Sequence, residues 1–308
     1  GAATLSPPSA AAGGALLLSR ARVAPFIDTR SRGTALAWMQ SSGRCSLVAL
    51  MLTSSEAGAP SVRSTQAALT LVQQLVESAS SISVALLTCG AVKPTGRASH
   101  APCDASAGGV WGFARVLRLE HVELRMATRD IARGTRVPSA LAVTRATAEP
   151  EMAWGATAQY VSRLRPCAVS RASQPKRAVV AGAYAITGGL GGLGLRAAAL
   201  LVERGASCVV LLSRGGSVPH DGRGAPSLPC AQLVACDVAD AADVSEMLRF
   251  SFPLVGMLHA AGVLRDRWAH AMCSEDLRFA ASPKAHGAAH VHTGLQRSPL
   301  EAVERRRR

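Results

Sequence analysis

Tyrosine occurs only twice in the 308 residues, at Tyr160 and Tyr184, and aromatic side chains make up 4% of the chain. Lysine occurs three times, at Lys93, Lys176 and Lys284, among 34 cationic side chains. The net charge of +14 therefore rests on arginines, which are spread along the chain among alanine and glycine. A nucleic-acid interface would gather its cations on one face and interleave rings for base stacking, so the composition speaks against nucleic acid as a partner. The eight cysteines (Cys45, Cys89, Cys103, Cys167, Cys208, Cys230, Cys236 and Cys273) stand singly, with no Cys-x-x-Cys pair. This excludes the common zinc and disulfide frameworks and suits reduced thiols in an intracellular, cytoplasmic protein. No Gly-x-Ser-x-Gly elbow and no Walker loop is present. Acidic residues are also scarce at the start: Asp28 is the one carboxylate in the first 55 residues, a balance that resembles a plastid transit peptide.

What remains describes a globular chain. Hydrophobic residues make up 48% and charged ones 18%, and the length suffices for two domains, each with its own core. One stretch imitates a membrane span, since 18 uncharged residues separate Arg177 from Arg196. Six of them are glycine, each weakening a helix by roughly 1 kcal/mol relative to alanine. A strand followed by a sharp loop accounts for the same residues, and no membrane contact is expected.

The chain divides into two alternations of strand and helix. Residues 1–44 carry no clear pattern. Within 45–165, "CSLVALML" (45–52) and "SISVALLT" (81–88) predict buried strands. "TQAALTLVQQLVES" (65–78) sets Ala68, Leu71, Val72 and Leu75 on one helical face, and "GVWGFARVLRLE" (109–120) predicts a second helix. Residues 166–177, rich in Pro, Ser and basic residues, predict a linker, and residues 294–308 a basic tail. Between them, 178–293 begins the alternation again, so the expected class is α/β with parallel sheets in two Rossmann-like halves.

The second half carries the chemistry. "AYAIT" (183–187) predicts a strand, "GGLGGLG" (188–194) a loop, "LRAAALLVERG" (195–205) a helix ended by Gly205, and "ASCVVLLSR" (206–214) the next strand. Such a unit holds a dinucleotide: glycines let the backbone turn tightly and approach the pyrophosphate, whose charge rests on the helix N-terminus. Thr187, Gly188, Gly189, Leu190, Gly191, Gly192, Leu193 and Gly194 are the candidate phosphate-binding residues. The next strand ends in Ser213-Arg214, with no carboxylate for a ribose 2′-hydroxyl. An arginine there pairs with a 2′-phosphate, so NADPH is the expected cofactor.

These residues carry a resemblance. "YAITGGLGGLGLRAAALLVERGASCVVLLSRGG" is similar to the cofactor segment of ketoreductase domains in modular polyketide synthases, within the short-chain dehydrogenase/reductase superfamily. The likeness continues at "CDVAD" (236–240), which implies that Asp237 and Val238 flank the adenine. At "VGMLHAAGVLRD" (255–266) it implies that His259, Ala260, Ala261 and Gly262 form the floor under the nicotinamide ribose. "SPKAHGAAHVH" (282–292) resembles the helix bearing the family's active-site lysine, which places that role on Lys284; a solvated lysine after Pro283 is the plainer reading. "GVWGFARVLRLEHVEL" (109–124) and "EMAWGATAQYVSRL" (151–164) resemble the family's structural, cofactor-free subdomain, with Val122 where the family has proline. Leu264-x-Asp266 resembles a feature tied in the family to one stereochemical course.

The resemblance implies NADPH-dependent reduction of a β-ketoacyl thioester, tethered to an acyl carrier protein, among neighbouring synthase domains. In that family a tyrosine donates the proton and a serine holds the carbonyl oxygen. Neither Tyr160 nor Tyr184 has an asparagine or lysine four residues later, and Ser298 is the only serine after Lys284. The expectation is a second half truncated before its catalytic strand and helix. This leaves two alternatives open, an inactive NADP-binding or structural module and a basic nucleic-acid-binding protein. His286 and His290 have the i, i+4 spacing of metal ligands, but no third ligand beyond His292 is evident, and no metal site is expected.

Overall fold

A computed structural model describes residues 14–19, 23–28, 45–52, 60–77, 82–92, 105–131, 148–155, 158–164, 166, 179–217, 230–250, 253–297 and 300. Cys103 and Cys167, the expected linker over 167–177, Ser298 and the terminal arginines lie outside the described residues, as does most of the N-terminal segment. The chain forms two compact units, Gly1–Arg165 with Asp266–Leu277, and Pro166–Arg265 with Arg278–Arg308.

The first unit is built on a seven-stranded sheet. Its strands are β1 (Gly14–Ser19), β2 (Val23–Asp28), β3 (Cys45–Leu52), β4 (Ser83–Cys89), β5 (Ala127–Ile131), β6 (Glu151–Trp154) and β7 (Gln159–Tyr160). Their order is β2-β1-β3-β4-β5-β6-β7. Only β3 to β6 run parallel; β1 and β2 join one edge antiparallel, and β7 closes the other antiparallel. The sheet is thus mixed, not wholly parallel, and two of its strands come from a segment with no sequence pattern of its own.

Helix α1 (Arg63–Glu77) and helix α2 (Gly108–Glu120) cover one face of this sheet. Ala68, Leu71, Val72 and Leu75 of α1 and Val110, Ala114 and Leu117 of α2 pack on Val48, Leu50, Val84 and Leu86. The opposite faces of the same strands bury Leu47, Ala49, Ala85 and Leu87 against Ile131, Met152 and Trp154. Burial on both faces explains why β3 and β4 read as continuous apolar runs. A polar knot sits where β4 and β5 end. The Thr88 hydroxyl donates to Asp130 Oδ1 at 2.6 Å and accepts from Trp111 Nε1 at 3.1 Å. The Asp130 carboxylate also accepts from the Ala91 and Val92 amides. Thr88→Val keeps the volume but strands a buried indole N–H and leaves Asp130 Oδ1 with the Ala91 amide alone, so urea denaturation should show a loss of about 1–3 kcal/mol.

Asp266–Leu277, which the sequence groups with the cofactor half, packs with the first unit. Gln73 Nε2 donates to the carbonyls of Ala269 (3.0 Å) and Met272 (2.8 Å), the Ala269 amide donates to Glu120, and Ala269 joins the apolar core. Side-chain bonds to backbone groups leave little sequence signature, so this excursion is invisible to periodicity.

The second unit holds a four-stranded parallel sheet: β8 (Ala183–Thr187), β9 (Cys208–Ser213), β10 (Ala231–Ala235) and β11 (Leu254–His259), ordered β10-β9-β8-β11. Helix α3 (Gly192–Glu203) follows β8 and α4 (Ala241–Phe250) follows β10. Helix α5 (Ser274–Ala281), a π-helical turn over Ser282–His286 and α6 (Gly287–Arg297) follow β11. Ile186, Val209 and Leu211 meet Ala198 of α3 on one face; Ala185, Val210 and Leu212 meet Val244, Met247 and Val291 of α4 and α6 on the other. The chain starts in the middle of this sheet, moves outward through β9 and β10, and returns to the far side of β8. The reversal opens a crevice beyond the carboxyl ends of β8 and β11, the switch point where α/β sheets take ligands.

Candidate functional site: a dinucleotide corner

The crevice is assembled by the glycine run. Gly188 adopts φ +64°, and a Cβ there would lie 2.8 Å from Ala261 Cα and 2.9 Å from the Ala260 carbonyl oxygen. The loop therefore crosses directly against the end of β11. A Cβ on Gly194 would meet Gly188 O at 2.5 Å and Gly189 Cα at 2.8 Å, so the first turn of α3 lies on the loop itself. Gly192 differs: a Cβ there meets nothing within 4 Å. The fold does not require glycine at that position, and its exposed surface is open to a ligand.

Helix α3 starts without a side-chain cap. Leu195 N–H is the first amide to close onto the helix, reaching Gly191 O at 2.9 Å. The amides of Gly192, Leu193 and Gly194 have no acceptor among the described residues, as expected for the first turn of a helix. The contrast with the first unit is direct: Asp130 takes up the Ala91 and Val92 amides after β4, whereas no side chain caps the first turn of α3. Free amides at the positive end of a 12-residue helix suit a phosphate group.

Thr187 fastens the two sides of the crevice. Buried at the end of β8, opposite His259 in register, its Oγ1 accepts from the amides of Ala260 (3.1 Å) and Ala261 (3.2 Å). It also lies 2.8 Å from His259 Nδ1. An oxygen that already accepts two N–H bonds donates its own hydrogen, so His259 accepts at Nδ1 and carries its ring proton on Nε2. That Nε2 is buried without a partner among the described residues, against the position of Gly287, where a Cβ would lie 3.3 Å from His259 Cε1. His259 is thus part of the wall.

The remaining expected residues fall around the same end of the sheet. Ser213 ends β9, and its hydroxyl accepts from the Gly216 amide at 3.2 Å. Arg214 follows, exposed, with no ion pair among the described residues. Asp237 turns the chain after β10, its Oδ1 accepting from Ala239 N at 3.0 Å, while Val238 is buried. Between them and the core, Cys236 has its thiol pushed up to about 11 by burial and by the nearby carboxylates of Asp243, Asp237 and Asp240. Leu190 packs on the α3 side of the sheet, and Leu193 is exposed. Lys284 lies on the π-helical turn: a Cβ on Gly262 would meet Lys284 Cε at 2.7 Å and Nζ at 3.7 Å. Its stem crosses Gly262 while the residue stays exposed, which sets its ammonium beside the end of β11.

Two contributors escaped sequence reasoning. Asp243 Oδ2 accepts from the Asp237 amide at 2.8 Å, and Asp240 caps α4 through Ala242 N at 2.7 Å. The Asp-x-x-Asp spacing at a helix start was the available signal. The histidines of α6 do not converge: His290 Nδ1 meets Val238 O and His292 Nε2 meets Gln296. No cluster of metal-binding side chains occurs among the described residues. No described helix is long and apolar enough to cross a membrane.

Fold and corner together define a Rossmann-like α/β protein with the loop geometry of a dinucleotide site. Comparison with known proteins narrows the class: residues 182–304, in the second half of the chain, match the KR domain family model and belong to this ketoreductase family. It is 32% identical over 234 residues to the polyketide synthase GfsA of Streptomyces halstedii, covering 72% of this chain. It is 31% identical over 209 residues to a phenolphthiocerol/phthiocerol polyketide synthase of Mycobacterium tuberculosis, covering 63% of this chain. The chain spans only 3% and 11% of these two relatives. Among solved structures, the first ketoreductase of the tylosin synthase superposes with a TM-score of 0.73 at 26% identity, covering 88% of this chain and 59% of that one. The phoslactomycin first-module ketoreductase PlmKR1, from Streptomyces sp. HK803, gives 0.64 at 26%, covering 83% and 59%.

Proposed function

We propose that this chain holds NADPH at the β8–α3 corner and serves reduction of a β-ketoacyl thioester to a β-hydroxyacyl thioester in polyketide assembly. One observation carries the reading: the unsatisfied amides of Gly192, Leu193 and Gly194 stand at the sheet's switch point, beside a glycine surface that the fold leaves open. Those amides would hold the pyrophosphate, Ser213 and Arg214 the 2′-phosphate, and Asp237 and Val238 the adenine side. His259 to Gly262 would lie beneath the nicotinamide ribose. The bound cofactor supplies the hydride. Lys284 supplies a fixed positive charge at the reacting end, where an alkoxide develops. The substrate in this reading is tethered to an acyl carrier protein in the cytoplasm and delivered among neighbouring synthase domains.

A non-catalytic NADP-binding module is the second reading, favoured by the tyrosines. The Tyr184 hydroxyl donates to Val180 O at 2.9 Å and its ring fills the space over Gly256, while Tyr160 belongs to β7 of the first unit. A tyrosine acid of the kind the family uses contributes about 10²- to 10⁴-fold. NADPH fluorescence titration should saturate; no binding at millimolar cofactor would overturn both readings. Turnover of a small β-ketoacyl thioester then separates them. Rates within a few-fold of a tyrosine-bearing ketoreductase would require a proton donor that Tyr160 and Tyr184 cannot provide.

A further inference from the structure

Two cysteines, Cys208 and Cys230, are neighbours across strands. Cys208 opens β9, and Cys230 immediately precedes β10. The strands pair in parallel with Ala231 opposite Val209, so the same register sets Cys230 opposite Cys208. The ladder is still closed there, since the Val209 amide donates to the Cys230 carbonyl at 3.1 Å. Residues opposite each other in a parallel pair project to the same face. Here that is the face of Val210, Leu212 and Val234. Neighbouring strands lie about 4.7–4.9 Å apart, inside the roughly 4.4–6.8 Å Cα window of a disulfide. Both thiols are half-buried. Cys230 sits on the turn that leads into β10.

The two sulfurs also sense each other electrically. Burial first, and then the charge on Cys230, hold the Cys208 thiol above its ordinary pKa. Cys236 is no competitor: it lies six residues beyond Cys230, about 20 Å along an extended strand, and it is buried.

We propose that Cys208 and Cys230 form an intramolecular disulfide by exchange with a small-molecule disulfide such as oxidised glutathione. The Cys230 thiolate attacks one glutathione sulfur; the glutathione S–S bond breaks, a mixed disulfide forms, and one glutathione leaves as thiolate. Cys208 then gives its proton to solvent and attacks the Cys230 sulfur, expelling the second glutathione. Two protein thiols are oxidised and one glutathione disulfide is reduced to two thiols. The ring so closed spans residues 208–230, including Ser213 and Arg214. The pairing rests on strand register and not on the cofactor reading.

The test treats the full chain with excess oxidised glutathione at about pH 8, blocks the remaining thiols, and maps disulfides by mass spectrometry of the digest. A Cys208–Cys230 cross-linked peptide is expected, with no glutathione retained at either site. The oxidised chain should melt on the order of 5 °C above the reduced one. Cys208→Ser and Cys230→Ser should each abolish the cross-link and leave glutathione on the remaining cysteine. Should Cys208→Ser fold poorly, Cys230→Ser on the turn gives the same readout. A lasting glutathione adduct on Cys230, two blockable thiols, or a cross-link to another cysteine would each overturn the proposal. None of these results depends on whether NADPH binds.

Discussion

Gly192→Asp is expected to weaken NADPH binding by about 10²-fold while leaving the melting temperature unchanged or slightly raised. The fold accepts the side chain, because a Cβ at Gly192 meets nothing within 4 Å. A carboxylate on the first turn of α3 interacts favourably with the helix dipole, by roughly 0.3–1 kcal/mol. The same carboxylate would face the phosphate position, where two like charges about 4 Å apart repel by about 1–4 kcal/mol in partly solvated surroundings. Stability and affinity should therefore part company. Gly188→Ala makes the control, since its φ of +64° and the backbone atoms of Ala260 and Ala261 within 2.9 Å leave a methyl no room. That variant should lower the melting temperature itself. Titration beside thermal melts distinguishes the two effects, and an undiminished affinity in Gly192→Asp would remove the pyrophosphate from this corner.

Arg214→Glu is expected to lower NADPH affinity by roughly 10- to 100-fold, while NADH affinity holds or improves. Hydrogen bonds to a charged group contribute about 1.5–3 kcal/mol, and the variant replaces attraction with repulsion at the 2′-phosphate while offering a carboxylate to a 2′-hydroxyl. Arg214 is exposed and makes no ion pair among the described residues, so the melting temperature should not move. The ratio of the two dissociation constants is the readout. An unchanged ratio would return Arg214 to the arginine-rich background of the chain.

How much of this was legible in the sequence depends on the range of the interaction involved. The helix over Arg63–Glu77 shows in the spacing of Ala68, Leu71, Val72 and Leu75, because each position buries or exposes itself by a local geometric rule. The corner at Gly188 to Gly194 is equally local, since a tight turn against β11 needs residues without Cβ. By contrast, β1 and β2 offer no strong pattern; β1 becomes a strand by pairing along the edge of β3, and β2 by pairing with β1. Asp266–Leu277 joins the first unit through Gln73 and Glu120, partners 149 to 199 positions away in sequence. Nothing local to either segment records such a partner.

By itself the sequence determined where the backbone turns, which faces are apolar, that a glycine-rich loop precedes α3, and that an arginine and no acid follows β9. The tertiary structure alone decided that Thr187 ties His259, Ala260 and Ala261 to β8, and that the Lys284 stem crosses Gly262. It also joined the Cys230 carbonyl to the Val209 amide, next to Cys208. The first group follows from torsion angles and burial of neighbouring residues, which a short window of sequence contains. The second follows from strand order and register, which are fixed only when separate apolar faces pack into one core.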